Sequence, residues 1–254
     1  MSQELNFKLQ GEGSTIVLIH GLFGNLDNLG LLARDLSQDH QVLSMDLRNH
    51  GLSFHSESHT YENMADDVHQ LIQSLNLTDV TLIGHSMGGK VAMKIAADHP
   101  EYVRKLIVMD MAPVAYKQRK HDNVFNGLHA VLDNPPTNRN DAMSLLARHI
   151  EIEGVRQFLG KSLYRKDNHL TWRFNVASIL NNYWDILGWD TVPTSQIETL
   201  FLKGADSDYL VTEYQANIQA QFSNAKAHVI ANTGHWLHAE KPQEVLRAIR
   251  RFLK

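Results

Sequence analysis

The sequence has 254 residues, 43% hydrophobic and 20% charged, a balance that excludes a disordered or fibrous chain. At ~100–200 residues per domain it makes one large domain or two small ones. The 24 basic and 28 acidic side chains leave a formal net charge of -4, which is no electrostatic footprint for nucleic acid. A chain of this length buries roughly three-quarters of its unfolded surface, so it folds without the disulfides that its lack of cysteine denies it. No apolar run approaches the ~20 residues that span a bilayer. Met1–Lys8 lacks the apolar stretch of a secretory signal. With cysteine absent, the expected location is the reducing cytoplasm.

In chain order, Thr15–His20, Val42–Asp46, Val80–Gly84 and Lys105–Asp110 are short apolar runs that predict buried strands. Thr199–Lys203 and Ala227–Ala231 predict two more. Between them Met64, Val68, Leu71, Ile72 and Leu75 recur on one helical face, and Val245, Leu246, Ile249, Phe252 and Leu253 do so at the end. Alternation of this kind predicts an α/β fold with a mostly parallel, doubly wound sheet. It stops at 115–190, where strand-like runs disappear. There Ala142–Ile150 and Gly154–Leu163 read as helices, and Asn134-Pro-Pro-Thr137 as a loop. The expectation is a core of residues 1–114 and 191–254 carrying a helical cap, 115–190. The insertion is basic: residues 116–175 carry ten Lys/Arg and six Asp/Glu, a surplus of +4 that leaves -8 elsewhere.

Gly84-His-Ser-Met-Gly88 is the sharpest feature. It follows a predicted strand and opens a predicted helix, Met87–Asp98. A serine on so tight a turn is lifted above the sheet, and its neighbours must be small for the chain to bend. The helix N-terminus below it favours negative charge. Ser86 is therefore the candidate nucleophile. A serine hydroxyl needs a base, and His235, in Asn232-Thr-Gly-His-Trp236 after the last predicted strand, is the candidate. His238 reads as a surface or packing residue. His235 and His238 have a spacing that metal sites use, but no third ligand or HExxH helix accompanies them. Neither a metal nor a cofactor is implied. After the first strand, His20-Gly-Leu-Phe-Gly24 can supply a backbone donor to an oxyanion, with the N–H of Met87 as the second. Leu22 is the favoured donor, and Phe23 competes with it.

His20-Gly21, Asp46-Leu-Arg-Asn-His-Gly-Leu-Ser53, Gly84–Gly88 and Gly234-His235 together resemble the α/β-hydrolase superfamily across nearly the whole chain. More narrowly, His20–Leu29, Asp46–His50 and Asp110-Met-Ala-Pro113 resemble the bacterial YbfF-type esterases. The acid departs from the commonest pattern of the superfamily. Three residues past Gly204 stands Ser207, which cannot balance an imidazolium. Asp110 ends the strand beside the nucleophile strand and is the favoured acid, with Asp206 and Asp208 as alternatives. The resemblance implies the same placement, with Ser207 as an additional hydrogen-bonding member. It also implies that Arg48 and His50 are chiefly structural. Tyr116, Phe125, Trp172, Phe174, Tyr183, Trp184 and Trp189 are candidates to line an acyl pocket or to fill the core of the cap.

The expected activity is that of a serine esterase or thioesterase acting on small-molecule acyl esters through a Ser86–His235–Asp110 triad. Acyl-CoA is a candidate substrate, with its phosphates near Lys117, Arg119 or Lys120. A lyase or C–C bond hydrolase on the same scaffold, or a non-catalytic binding protein, is the alternative.

Overall fold

Apolar runs without alternation need cover on both faces, and the computed structural model gives it to them. The structure describes residues 4–254; the first three residues, on which part of the N-terminal reading rests, lie outside the described residues. The first half runs β1 (Phe7–Gln10), β2 (Thr15–Ile19), α1 (Gly30–Leu36), β3 (Gln41–Met45), α2 (Tyr61–Ser74), β4 (Val80–His85), α3 (Met87–Asp98) and β5 (Val103–Met109). Next come α4 (Asp122–Asp133), α5 (Arg139–Ala147), α6 (Glu153–Gly160), β6 (Leu163–Lys166), β7 (His169–Trp172), α7 (Val176–Asn181) and α8 (Tyr183–Leu187). The chain closes with β8 (Glu198–Gly204), α9 (Gln215–Gln221), β9 (Ala225–Ile230), α10 (Leu237–Glu240) and α11 (Pro242–Leu253).

Seven strands form one sheet in the order β1-β3-β2-β4-β5-β8-β9. All pairs are parallel except β1 with β3. The central strands β2 and β4 are buried along their whole length, whereas β9 at the edge is mostly exposed. One face of the sheet packs on α2 and α3 through residues such as Met64, Val68, Val91 and Ile95. The other packs on α1 and α11 through Leu32, Leu36, Val245 and Ile249. Arg250 on α11 ties these last two helices together by binding both Asp35 and Asp39. Among the described residues no helix is long and apolar enough to cross a membrane.

Two strand regions depart from the sequence expectation. β1 is short and exposed, so its Phe7 and Leu9 carry no burial signal. Within 115–190, where no strands were expected, β6 and β7 form an antiparallel hairpin that reverses through Asp167. Each strand has only four residues, mostly polar, and the hairpin is held from outside. Trp172 at its end donates from Nε1 to the Leu128 carbonyl on α4. Lys90 on α3 makes the opposite tie. It is fully buried, and its Nζ donates to the carbonyls of Leu187 and Gly188, where α8 ends and the chain returns toward β8.

The loop after β2 is held by neutral histidines. His20 Nε2 accepts the Leu47 N–H at 3.0 Å while its Nδ1–H donates to the Gly21 carbonyl. His50 Nε2 accepts the Phe23 N–H at 3.1 Å while its Nδ1–H donates to the Arg48 carbonyl. His59 packs against His50 with ring centroids 5.3 Å apart. All three are buried, and burial is the main reason that each is held below the ordinary histidine range. For His59, burial, with Arg48 and His20 adding, lowers the pKa to about 3. Between pH 6.5 and about 3 the unfolded chain therefore binds a proton at His59 that the folded chain does not. Stability must fall as pH falls through that window. In urea titrations at a series of pH values, His59→Phe should flatten the acid slope by up to about 1.4 kcal/mol per pH unit. An unchanged slope would show that folded His59 takes up its proton as readily as the unfolded chain does.

Candidate active site

Ser86 stands between β4 and α3 with φ 55° and ψ -123°, a conformation that L-residues rarely adopt. Two glycines let the chain make this turn. A Cβ on Gly84 would collide with the Gly88 carbonyl, and one on Gly88 would collide with the carbonyls of Ile19 and His20. The Ser86 N–H donates to the Met109 carbonyl at 3.0 Å, which stitches the turn to the neighbouring strand.

That strand delivers the carboxylate. His85 pairs with Met109 across β4 and β5, so Ser86 and Asp110 occupy equivalent steps just beyond the two strand ends. Asp110 is fully buried, with φ 54°. Its Oδ1 accepts the Gly204 N–H at 3.0 Å, and its Oδ2 accepts from the Ser207 hydroxyl. Oδ2 also accepts the His235 Nδ1–H at 2.7 Å. On the far side of the same ring, His235 Nε2 lies 2.9 Å from Ser86 Oγ. Because Nδ1 donates to the carboxylate, Nε2 is left with its lone pair facing the serine.

Two further groups position the imidazole. The Tyr209 ring stacks on it with centroids 4.1 Å apart and planes 26° from parallel. His85 Nε2–H donates to the His235 carbonyl at 2.8 Å. Burial, with His238 and His235 adding, holds His85 well below the ordinary histidine range, so it remains a neutral donor. His238 is buried against His85, which makes it a packing residue; burial lowers its pKa to about 3.

Of the sequence-predicted residues, Ser86, His235, Asp110 and Ser207 come together. Asp206 and Asp208 do not join them. The Asp208 carboxylate is exposed and pairs with Lys120 at 2.6 Å. The Asp206 N–H donates to the Thr233 carbonyl, a loop contact. Leu22 and Phe23 differ in a way the sequence did not distinguish, because the Phe23 N–H is already bonded to His50. Among the described residues, the backbone N–H groups of Leu22 and Met87 have no acceptor. Asp46 holds this loop from behind by accepting the Leu26 and Leu52 N–H groups. Arg48 is spent in a bidentate pair with Asp67, consistent with the structural part expected of it.

A cavity of about 890 Å³ opens over Ser86 and His235. Phe23, Val124, Ile150, Phe158 and Trp236 give it apolar walls, and residues before and along α4 and α6 form its far side. None of the seven aromatic residues proposed from the sequence lines it. Six of these pack within the fold, and Trp184 is exposed. The lining residues were missed because an aromatic side chain in a sequence carries no sign of which way it faces.

The chain matches the family model for the alpha/beta hydrolase fold over residues 14–242. It is 45% identical to Esterase YbfF of Escherichia coli strain K12 over 244 residues, 96% of this chain and 94% of that one. It is 36% identical to the sn-1-specific diacylglycerol lipase ABHD11 of Danio rerio, covering 98% of this chain and 81% of that one. The solved structure of a marine microorganism esterase superposes with a TM-score of 0.95 at 37% identity, over 99% of this chain and 100% of that one. With the match spanning nine-tenths of its length, and the strand–serine–helix turn in place, the chain belongs to the alpha/beta hydrolase fold family.

Proposed function

We propose that this protein is a serine hydrolase of carboxylic esters, working through an acyl-enzyme on Ser86. The observation that carries the reading is the imidazole of His235, held by Asp110 on one side and 2.9 Å from Ser86 Oγ on the other. His235 Nε2 takes the serine proton as Oγ attacks the acyl carbonyl, and Asp110 stabilises the imidazolium that forms. The N–H groups of Leu22 and Met87 bind the oxyanion of the tetrahedral intermediate. His235 then protonates the leaving alcohol, and later activates the water that releases the acid. Ser207 holds the Asp110 carboxylate in place. Segment 115–190 serves as the cap over the substrate cavity. The names of the esterase relatives support ester hydrolysis over the lyase and binding-protein alternatives. The absence of cysteine supports a cytoplasmic location.

Ser86→Ala should lower ester turnover by about a millionfold, by analogy with other serine hydrolases. A fluorophosphonate probe should label the wild-type protein at Ser86 and leave the variant unlabelled. Wild-type turnover in folded Ser86→Ala would remove the nucleophile from the scheme.

The acid is tested separately. Asp110→Asn should lower kcat by about 10³–10⁴, because the imidazole loses its orienting carboxylate. Asp208→Asn should leave kcat within a few-fold, since its exposed carboxylate pairs with Lys120 and not with His235. The reverse ranking would transfer the role to the loop after β8.

Acyl-CoA thioesters are a second reading, favoured by the position of Lys120 on the cavity wall. In the structure this ammonium is paired with Asp208, and Arg119 with Asp122, so much of the local positive charge is already balanced. Capture of an anionic substrate by the remaining charge is sensitive to salt. For an acyl-CoA, kcat/KM should fall as salt rises while that of a neutral ester of equal chain length stays level. Equal salt responses would leave the basic residues of the cap without a part in substrate capture.

A further inference from the structure

Among the polar side chains on the wall of the cavity that the proposed chemistry does not use, His121 has a fixed tautomer. His121 immediately precedes α4, with its ring set edge-on to Phe23 at 6.3 Å and to Tyr183 at 5.8 Å. Its Nδ1 lies 2.6 Å from the Tyr183 hydroxyl. Tyr183 is fully buried, and among the described residues its hydroxyl hydrogen has no acceptor other than this nitrogen. A buried O–H left unpaired is costly, so the phenol donates and Nδ1 accepts. The ring hydrogen is therefore on Nε2. Burial, with His235 and Lys120 adding, lowers the His121 pKa to about 4, so the ring is neutral. Burial pushes Tyr183 up to about 12, which keeps its proton in place. Among the described residues the Nε2–H has no acceptor.

His121 lies near the base, whose charge adds to the lowering of its pKa. The preceding residue, Lys120, holds its ammonium 4.4 Å from the centroid of the Tyr209 ring, and that ring stacks on His235. His121 thus reaches the cavity beside the base. In the scheme above, His235 hands its proton to the leaving alcohol, so the alcohol portion of the ester departs on this side.

We infer that His121 is a specificity-determining residue whose Nε2–H binds an ether or hydroxyl oxygen in the leaving alcohol, so that the preferred substrates are esters of oxygenated alcohols. The inference rests on the ester-hydrolase reading and names its substrate class. An alcohol with a methylene at the corresponding position offers this donor no acceptor. An oxygen there restores the bond without changing the shape.

The test compares methoxyethyl butyrate with butyl butyrate, which differ by one oxygen in place of one methylene and form the same acyl-enzyme. The wild-type ratio of kcat/KM should favour the oxygenated ester by roughly five- to tenfold, the worth of one neutral hydrogen bond. His121→Phe should lower the ratio by about that factor, while His121→Gln, whose amide offers an N–H, should keep most of it. Tyr183→Phe releases the tautomer and should lower the ratio with the His121 ring still present. Because both esters share their acyl group, a general loss of folding or chemistry cancels in the ratio. A wild-type ratio of one or less, or a ratio that His121→Phe leaves unchanged, overturns the inference and leaves ester hydrolysis standing. Hydrolysis of neither ester by the wild-type protein overturns both.

Discussion

The backbone of Ser86 is the constraint around which the rest is arranged. A non-glycine residue at φ 55° and ψ -123° stores on the order of 1–3 kcal/mol of strain and persists only where its surroundings over-determine it. Here β4 is buried over all six residues on one side, and the first turn of α3 is buried on the other. Neither can shift without opening the centre of the sheet. The strain is thus absorbed by packing that exists for other reasons. In return the hydroxyl stands clear of the sheet, with the first N–H of a helix directly after it.

The carboxylate depends on the same register. Once β4 and β5 pair with His85 opposite Met109, the residue after each strand is committed to the same end of the sheet. Asp110 then meets donors from two other segments, Gly204 at the end of β8 and Ser207 in the loop beyond it, as well as His235. A fully buried carboxylate is tolerated only when its lone pairs are filled in this way. The three donors explain how a buried carboxylate can sit at a strand end with no lysine or arginine among its hydrogen-bond donors. They also give the serine in the commonest acid position a purpose, which is to hold a carboxylate that comes from elsewhere.

Around this centre the protein uses imidazole as a neutral connector. His20 and His50 each accept one backbone N–H and donate to one carbonyl, and His85 donates to the carbonyl of His235. A neutral ring does both at once, which neither a lysine nor a carboxylate can do. Protonation would destroy each accepting contact, so burial that keeps the rings neutral also keeps the loop of Leu22 in place. The bond from Phe23 to His50 has a particular consequence. It removes one of two adjacent N–H groups from competition for an oxyanion and leaves the other without an acceptor.

Much of this was legible in the chain itself. Unbroken apolar runs and a Gly-x-Ser-x-Gly turn between strand and helix specify the layered sheet and the serine, because both patterns are local and have one economical physical reading. The position of His235 after the last strand follows from chain order in the same way. The acid was favoured at Asp110 but left with two alternatives. Asp110, Asp206 and Asp208 are all carboxylates at strand ends, and only the pairing of β4, β5 and β8 selects the one that reaches the imidazole. The hairpin of β6 and β7 escaped notice because its strands are short and polar, and it is tied from outside by contacts such as the Trp172 bond to α4. The walls of the cavity were invisible for a related reason: whether Phe158 or Phe125 faces the substrate depends on how α4 and α6 are rotated against the core. Residue type and local spacing determined the elements and the serine at the turn. Contacts between segments distant in sequence decided which carboxylate meets the imidazole, which backbone N–H is left without an acceptor among the described residues, and the shape of the cavity, because those depend on register and orientation, which a linear pattern does not encode.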